Sequence, residues 1–295
     1  MQNLTFYIVD VFAVDKYTGN QLAVFTDATD LSEQEMQRLA KEINYSETTF
    51  LTSKELQNGG YNVRIFTPER ELPFAGHPTL GTAYIIQQMM LNQAVETLKL
   101  NLKVGQIPVT WQNLNDLGEV LWMRQNSPTF HQKLDASALA TVLGLELDSI
   151  DLRFPIQEVS TGIPFIIVPL KTHKDLKQIR VSRDRYFELV ATTQSQEILV
   201  FCPETYDSKN QLSVRVFAES LGIPEDPATG SANGCLAGYL IQYNYFEESF
   251  IDVRVEQGYE IGRPSLLLLK AEKKDETINV SVGGKVVMVA KGEFV

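Results

Sequence analysis

Apolar and polar residues alternate from Leu4 to Phe12, and apolar positions resume from Gln21 to Phe25 after Gly19-Asn20. Successive side chains on a strand point to opposite faces, so this pattern predicts two strands joined as a hairpin. The period then changes. Met36, Leu39, Ala40 and Ile43 recur at helical spacing behind Asp30-Leu31-Ser32 and Glu35, which predicts a helix with a capped start that ends before Asn44-Tyr45-Ser46. Glu47 to Leu51 and Tyr61 to Phe66 read as further short strands. The loop Thr67 to His77 carries two prolines and Gly76, and it leads into a helix predicted to open at Pro78, where a missing N–H costs nothing.

This strand, loop and helix unit occurs twice. Val63-Arg64-Ile65-Phe66 is answered by Val214-Arg215-Val216-Phe217, and His77-Pro78-Thr79-Leu80-Gly81-Thr82-Ala83 by Asp226-Pro227-Ala228-Thr229-Gly230-Ser231-Ala232. A fainter echo links Thr18-Gly19 to Thr161-Gly162, each followed by an apolar run. The echoes keep the same chain order, which predicts an internal duplication. The 295 residues are long enough for two domains of about 100–150 residues each. The expected division is residues 1–126, joined by a final strand at 286–295, and residues 127–285. Two similar halves facing each other make a cleft, a preferred place for a small ligand.

Composition narrows the choice of partner. A formal charge of −11 argues against nucleic acid or an anionic membrane, because phosphate binding needs clustered Lys and Arg. No apolar run approaches the roughly eighteen residues of a membrane span, and the first residues read as a strand rather than a secretory leader, so the expected location is cytoplasmic. Cys202 and Cys235 have no zinc-binding spacing, and His77, His131 and His173 are scattered. The expectation is no metal.

The candidate chemistry lies in the repeated loops. Each feeds a helix whose first turn leaves backbone N–H groups without intrahelical partners and carries the positive end of the helix dipole, an arrangement suited to a small carboxylate. Small residues in 76–81 and 226–231 admit a ligand close to that backbone, although they also permit tight helix–sheet packing. His77 and Asp226 fall at matching places, each before a proline that restrains it to extended backbone. Taken singly, Asp226 reads as a helix cap and His77 as a satisfied loop residue; as a symmetric pair they read as groups that orient a substrate. Glu47 enters a β-prone segment, where Glu is depleted. It is either a surface residue at a strand end or a carboxyl group in an apolar site, where it makes a better base near neutral pH.

Asp10-Val11-Phe12 with Gly19-Asn20, Ser46-Glu47-Thr48, Phe74-Ala75-Gly76-His77-Pro78-Thr79, Glu225-Asp226-Pro227-Ala228-Thr229-Gly230-Ser231-Ala232, Glu256-Gln257-Gly258, Gly262-Arg263-Pro264 and Val282-Gly283-Gly284-Lys285 together resemble the PhzF-like phenazine-biosynthesis family, nearly end to end. The resemblance implies an α+β, diaminopimelate-epimerase-like fold: two pseudo-symmetric domains, each with a mostly antiparallel sheet wrapped around a central helix, the helices beginning at Pro78 and near Ala228, usually as a homodimer. It implies a cofactor-free isomerase that moves a proton on a small carboxylate, of the trans-2,3-dihydro-3-hydroxyanthranilate isomerase type, with Glu47 as general acid/base. His77 and Asp226 match the other catalytic positions. Gly19, Asn20, Gly76, Gly230 and Ser231 match substrate-binding ones. Two further readings stay open: an isomerase or epimerase of another amino-acid derivative, and a non-catalytic binder of small carboxylates. Related epimerases use a cysteine on each wall; neither loop here contains one, which excludes two-thiol racemisation.

Overall fold

Residues 4–91 and 93–295 are described by a computed structural model. They divide into two units, one comprising the chain up to Arg124 with Gly283–Val295 and the other Gln125–Val282. No helix among the described residues is long and apolar enough to cross a membrane.

The first unit begins with β1 (Leu4–Val11) and β2 (Asn20–Phe25), antiparallel in register Val11 to Asn20 and Phe6 to Phe25. Helix α1 (Glu33–Ile43) follows; Ser32 and Glu35 form the reciprocal capping box that their spacing foretells, and Asn44 ends the helix in left-handed backbone at φ +57°. Strand β3 (Thr48–Leu51) lies parallel to β2 and antiparallel to β4 (Tyr61–Phe66), on which the two-residue β5 (Glu71–Leu72) folds back. Helix α2 (Gly76–Ile85) runs into a π-helical turn at Ile86–Leu91, and β6 (Thr97–Leu102), β7 (Gly105–Leu114) and β8 (Gly118–Gln125) form an antiparallel meander.

The second unit runs through β9 (Thr129–Lys133), α3 (Ala136–Leu143), β10 (Gln157–Ser160), β11 (Pro164–Pro169), α4 (His173–Gln178), α5 (Arg183–Val190), β12 (Glu197–Cys202), β13 (Leu212–Ala218), β14 (Ile223–Asp226), α6 (Gly230–Gln242), β15 (Phe250–Gln257), β16 (Ser265–Lys274) and β17 (Thr277–Gly284). Most neighbours pair antiparallel; β11 with β12 and β13 with β15 are parallel. Helices α3, α4 and α5 cover one face with Leu139, Leu143, Leu176 and Tyr186. The last strand, β18 (Val286–Phe294), belongs to the first unit and pairs antiparallel with β1 from Leu4–Phe294 to Val11–Val286.

Each unit holds one helix buried on nearly every side: α2 from Gly76 to Ala83, and α6 from Gly230 to Ile241. A helix apolar all round is stable only inside a protein, and small residues let the side chains of the sheet pack close against it. At Gly81 an added Cβ would stand 2.6 Å from Leu22 and 2.9 Å from Val11. Both helices begin elsewhere than the sequence predicts. Helix α2 opens at Gly76 rather than Pro78, since a proline is tolerated throughout the first turn, where no N–H has an intrahelical acceptor. Helix α6 opens at Gly230 rather than near Ala228.

Candidate active site

In the first unit the left-handed Asn44 turns the chain out of α1, and Glu47 follows as the last residue before β3. Helix α2 packs against that strand through a buried hydrogen bond, Thr82 Oγ1 donating to Thr49 Oγ1 at 2.8 Å. This contact docks the body of α2 on β3. His77, the second residue of α2, places Nε2 3.5 Å from Glu47 Oε2, with side-chain exposures of only 6% and 15%. Burial pushes the imidazole down to about 3, against the opposing effect of a hydrogen bond to the Gln21 backbone. Nε2 makes no hydrogen bond among the described residues, so the bond to Gln21 falls to Nδ1–H donating to the carbonyl. The ring is therefore neutral, with its Nε2 lone pair toward the carboxyl group.

Gln21 follows the predicted pair Gly19 and Asn20. Gly19 has φ +68°, and a Cβ there would stand 2.4 Å from the Val11 carbonyl oxygen, so only glycine fits the turn. Asn20 is buried and opens β2 opposite Val11. The unit thus gathers Glu47, His77, Gly76 and the Gly19–Gln21 segment.

In the second unit Asp226 ends β14, and its Oδ2 accepts from Thr229 Oγ1 at 2.5 Å. Asp226 is not the helix cap; Thr229 is, and neither Thr229 nor Ala75 at the head of α2 caps its helix with a side chain. Gln257, which is buried, spans the turn. Its Nε2 donates to the Asp226 carbonyl at 2.8 Å and to Thr229 Oγ1 at 3.0 Å, while Oε1 accepts from Thr229 N–H at 3.2 Å and Asn233 Nδ2 at 2.9 Å. Ser265 Oγ donates to the Pro227 carbonyl at 2.8 Å, and Gly258, at φ +78°, has no room for a Cβ against the same oxygen. Gln125 Nε2 donates to the Gly230 carbonyl at 2.9 Å. Asp226, Gly230 and the nearly buried Ser231 are thereby set on one braced turn.

The structure corrects the matching of His77 with Asp226. Ile65 pairs with Leu72 as Val216 pairs with Asp226, and the helices open at Gly76 and Gly230. Counted by register, His77 corresponds to Ser231 and Asp226 to Leu72. The repeated Pro made a one-to-one alignment attractive, but one proline lies inside its helix and the other before it. Gln257 and Ser265 are the bracing residues that sequence reasoning left without a role, although Glu256-Gln257-Gly258 stood among the motifs. Glu256 itself accepts from Tyr206 N–H, Asp207 N–H, Asn210 and Ser213, and so holds a loop together. Cys202 and Cys235 are buried free thiols pushed up to about 12 by burial. Among the described residues no three His, Cys, Asp or Glu side chains cluster as metal ligands.

A sequence model of the family described as phenazine biosynthesis-like protein matches residues 9–292. The chain belongs to the PhzF-like family. A trans-2,3-dihydro-3-hydroxyanthranilate isomerase of Pseudomonas chlororaphis is 34% identical over 98% of this chain and 99% of its own. The crystal structure of a PhzF-family phenazine biosynthesis protein from Bacillus anthracis superposes with a TM-score of 0.92 at 28% identity, over the whole of both chains. A probable proline racemase from Agrobacterium radiobacter shares the fold at a TM-score of 0.64 and 9% identity, covering 99% of this chain and 93% of its own. The PhzF-like chain is thus an isomerase with the α+β, diaminopimelate-epimerase-like fold.

Proposed function

We propose that this isomerase shifts a proton between two carbons of a small carboxylate-bearing molecule, with Glu47 as the group that removes and returns it. The observation that carries the reading is the facing pair of Glu47 Oε2 and His77 Nε2, 3.5 Å apart and screened from water. As a carboxylate, Glu47 takes a proton from a carbon beside an activating group, and the electrons of that C–H bond enter the conjugated system of the substrate. Glu47 then returns the proton at a second carbon. Nothing is gained or lost overall, so the step calls for no redox partner. His77, neutral and held by the Gln21 carbonyl, offers a lone pair to a substrate N–H or O–H, or to the proton while Glu47 carries it. Gly19, Asn20, Gly76, Gly230 and Ser231 are assigned to substrate binding, and Asp226 to holding a polar substituent. The uncapped first turns of α2 and α6 suit a carboxylate and developing negative charge.

The first substrate to try is trans-2,3-dihydro-3-hydroxyanthranilate, on which the Pseudomonas chlororaphis relative is named to act. Nuclear magnetic resonance in heavy water, on that compound and a panel of amino and hydroxy acids, follows conversion and isotope incorporation together. The wild type is expected to convert one of them, and Glu47→Gln to lower turnover by about 10²–10⁴-fold while keeping the wild-type circular dichroism. Undiminished turnover in that variant removes Glu47 from the mechanism. Binding of a carboxylate with neither conversion nor exchange would make the chain a binder.

A further inference from the structure

The two halves share a side-chain device that the reaction scheme does not use. Arg215 on β13 grips Glu225 on β14 with a two-pronged ion pair, Nε to Oε1 at 2.9 Å and Nη2 to Oε2 at 2.6 Å, and its remaining Nη1 donates to the Leu176 carbonyl at 3.0 Å. Both side chains are only 8% exposed. Arg64 on β4 grips Glu71 on β5 in the same way, Nε to Oε1 at 2.8 Å and Nη2 to Oε2 at 2.5 Å. Each guanidinium also lies over the phenylalanine two positions along its own strand, 5.1 Å from Phe66 and 5.0 Å from Phe217. A fork-to-fork pair fixes orientation as well as distance, which a single point charge does not.

The spacing shows what the device registers. From arginine to glutamate the two copies differ, Arg64 to Glu71 against Arg215 to Glu225, yet Glu71 and Glu225 each stand five residues before the helix that opens at Gly76 or Gly230. Length is free to vary before the glutamate and is held after it. The backbone ladder is poorly able to set register here. Strand β14 has four residues, one of them Pro224 without an N–H, and its pairing with β13 slips between Val216 and Ala218, while β5 has only two residues. In a strand successive side chains face opposite ways, so anchoring Glu225 through one face aims its neighbour Asp226 through the other.

We propose that the two Arg–Glu pairs are a duplicated positioning clip: Arg215–Glu225 sets Asp226 and the first turn of α6, and Arg64–Glu71 sets the Gly76–His77 turn. The functional half of this proposal rests on the reading of Asp226 as a site residue. The unit-one clip is the more exposed and the more redundant, since Lys103 also pairs with Glu71 and Glu33 with Arg64.

Hydrogen–deuterium exchange on the full-length protein tests it without any substrate. In Arg215→Lys, amide exchange across residues 226–231 is expected to quicken by about tenfold or more, with β12 unchanged, and Arg64→Lys to give a smaller effect at 76–79. Arg153→Lys, which changes an exposed arginine paired with Asp151 away from both turns, is the control expected to do neither. On whichever acid the wild type converts, Arg215→Lys should lower kcat/KM by about tenfold, through kcat as well as KM, with an unchanged melting temperature in Arg153→Lys. Should Arg215→Lys not fold, Glu225→Gln, which keeps the shape and loses the charge, gives the same readout. Exchange at 226–231 that is unchanged, or that rises only in step with β12, overturns the clip. A wild type inert toward every acid defeats the proposed function and leaves the exchange result to judge the clip alone.

Discussion

His77 is a base that cannot afford to be charged where it sits. Its folded imidazole holds a proton only below about 3, whereas an exposed one does so below 6.5. Above pH 6.5 the folded and unfolded chains are alike in this respect, and the group contributes nothing to pH dependence. As pH falls from 6.5 toward 3 the unfolded chain gains a proton that the folded chain refuses, and stability drops by about 1.4 kcal/mol for each unit. In urea unfolding at pH 7 and about pH 4.5, His77→Asn is expected to lose roughly 2–3 kcal/mol less than the wild type between the two conditions. Equal acid losses would show that the imidazole protonates freely in the fold. The ring therefore stays neutral across the ordinary working range.

At the scale of elements, α6 shows how a helix is tailored to the turn it supports. Glycine inside a helix is worth about 1 kcal/mol less than alanine, so Gly234 looks like a defect from local rules. A Cβ on it would stand 1.8 Å from Gln125 Oε1, the same amide that holds the Gly230 carbonyl and accepts from Thr161 Oγ1 at 2.7 Å. Gly234→Ala must expel Gln125 and is expected to cost about 1–3 kcal/mol. Gln125→Ala alone should cost a similar amount, and the double variant scarcely more than either, because the second change removes what the first has already broken. Additive losses in thermal unfolding would mean that Gln125 and Gly234 are not coupled. Gln257 braces the same turn from β15 and acts on it from outside the helix.

For the whole chain, the closing contact of the first unit comes from the far end of the sequence. β1 is paired on one side with β2 and on the other with β18, and Phe294 lies 5.2 Å from Phe6 and 5.6 Å from Phe25, ring to ring. Without residues 283–295, β1 becomes an open edge and this aromatic cluster loses its cover. A fragment of residues 1–124 is expected to show no cooperative thermal transition, and the peptide 283–295 added in trans to restore one. Cooperative unfolding of the fragment alone would show that the last strand is dispensable.

Strands and helices were legible wherever a pattern runs over neighbouring residues: the alternation in β1, the Ser32–Glu35 box, the repeated Val-Arg-Val/Ile-Phe. The duplication was legible for the same reason, since both copies obey one local arrangement. Glu47 and His77 were legible as candidates by residue type and by resemblance. Their facing one another across thirty residues was not, nor the bonding of His77 to Gln21 or of Asp226 to Gln257. The correspondence of His77 with Ser231 was also beyond the sequence, because it depends on strand register and helix start, and a loop that changes length hides both. Local chemistry determines which segments become strands, helices and turns; contacts between residues distant along the chain are set by how those segments pack, and that only the tertiary structure decided.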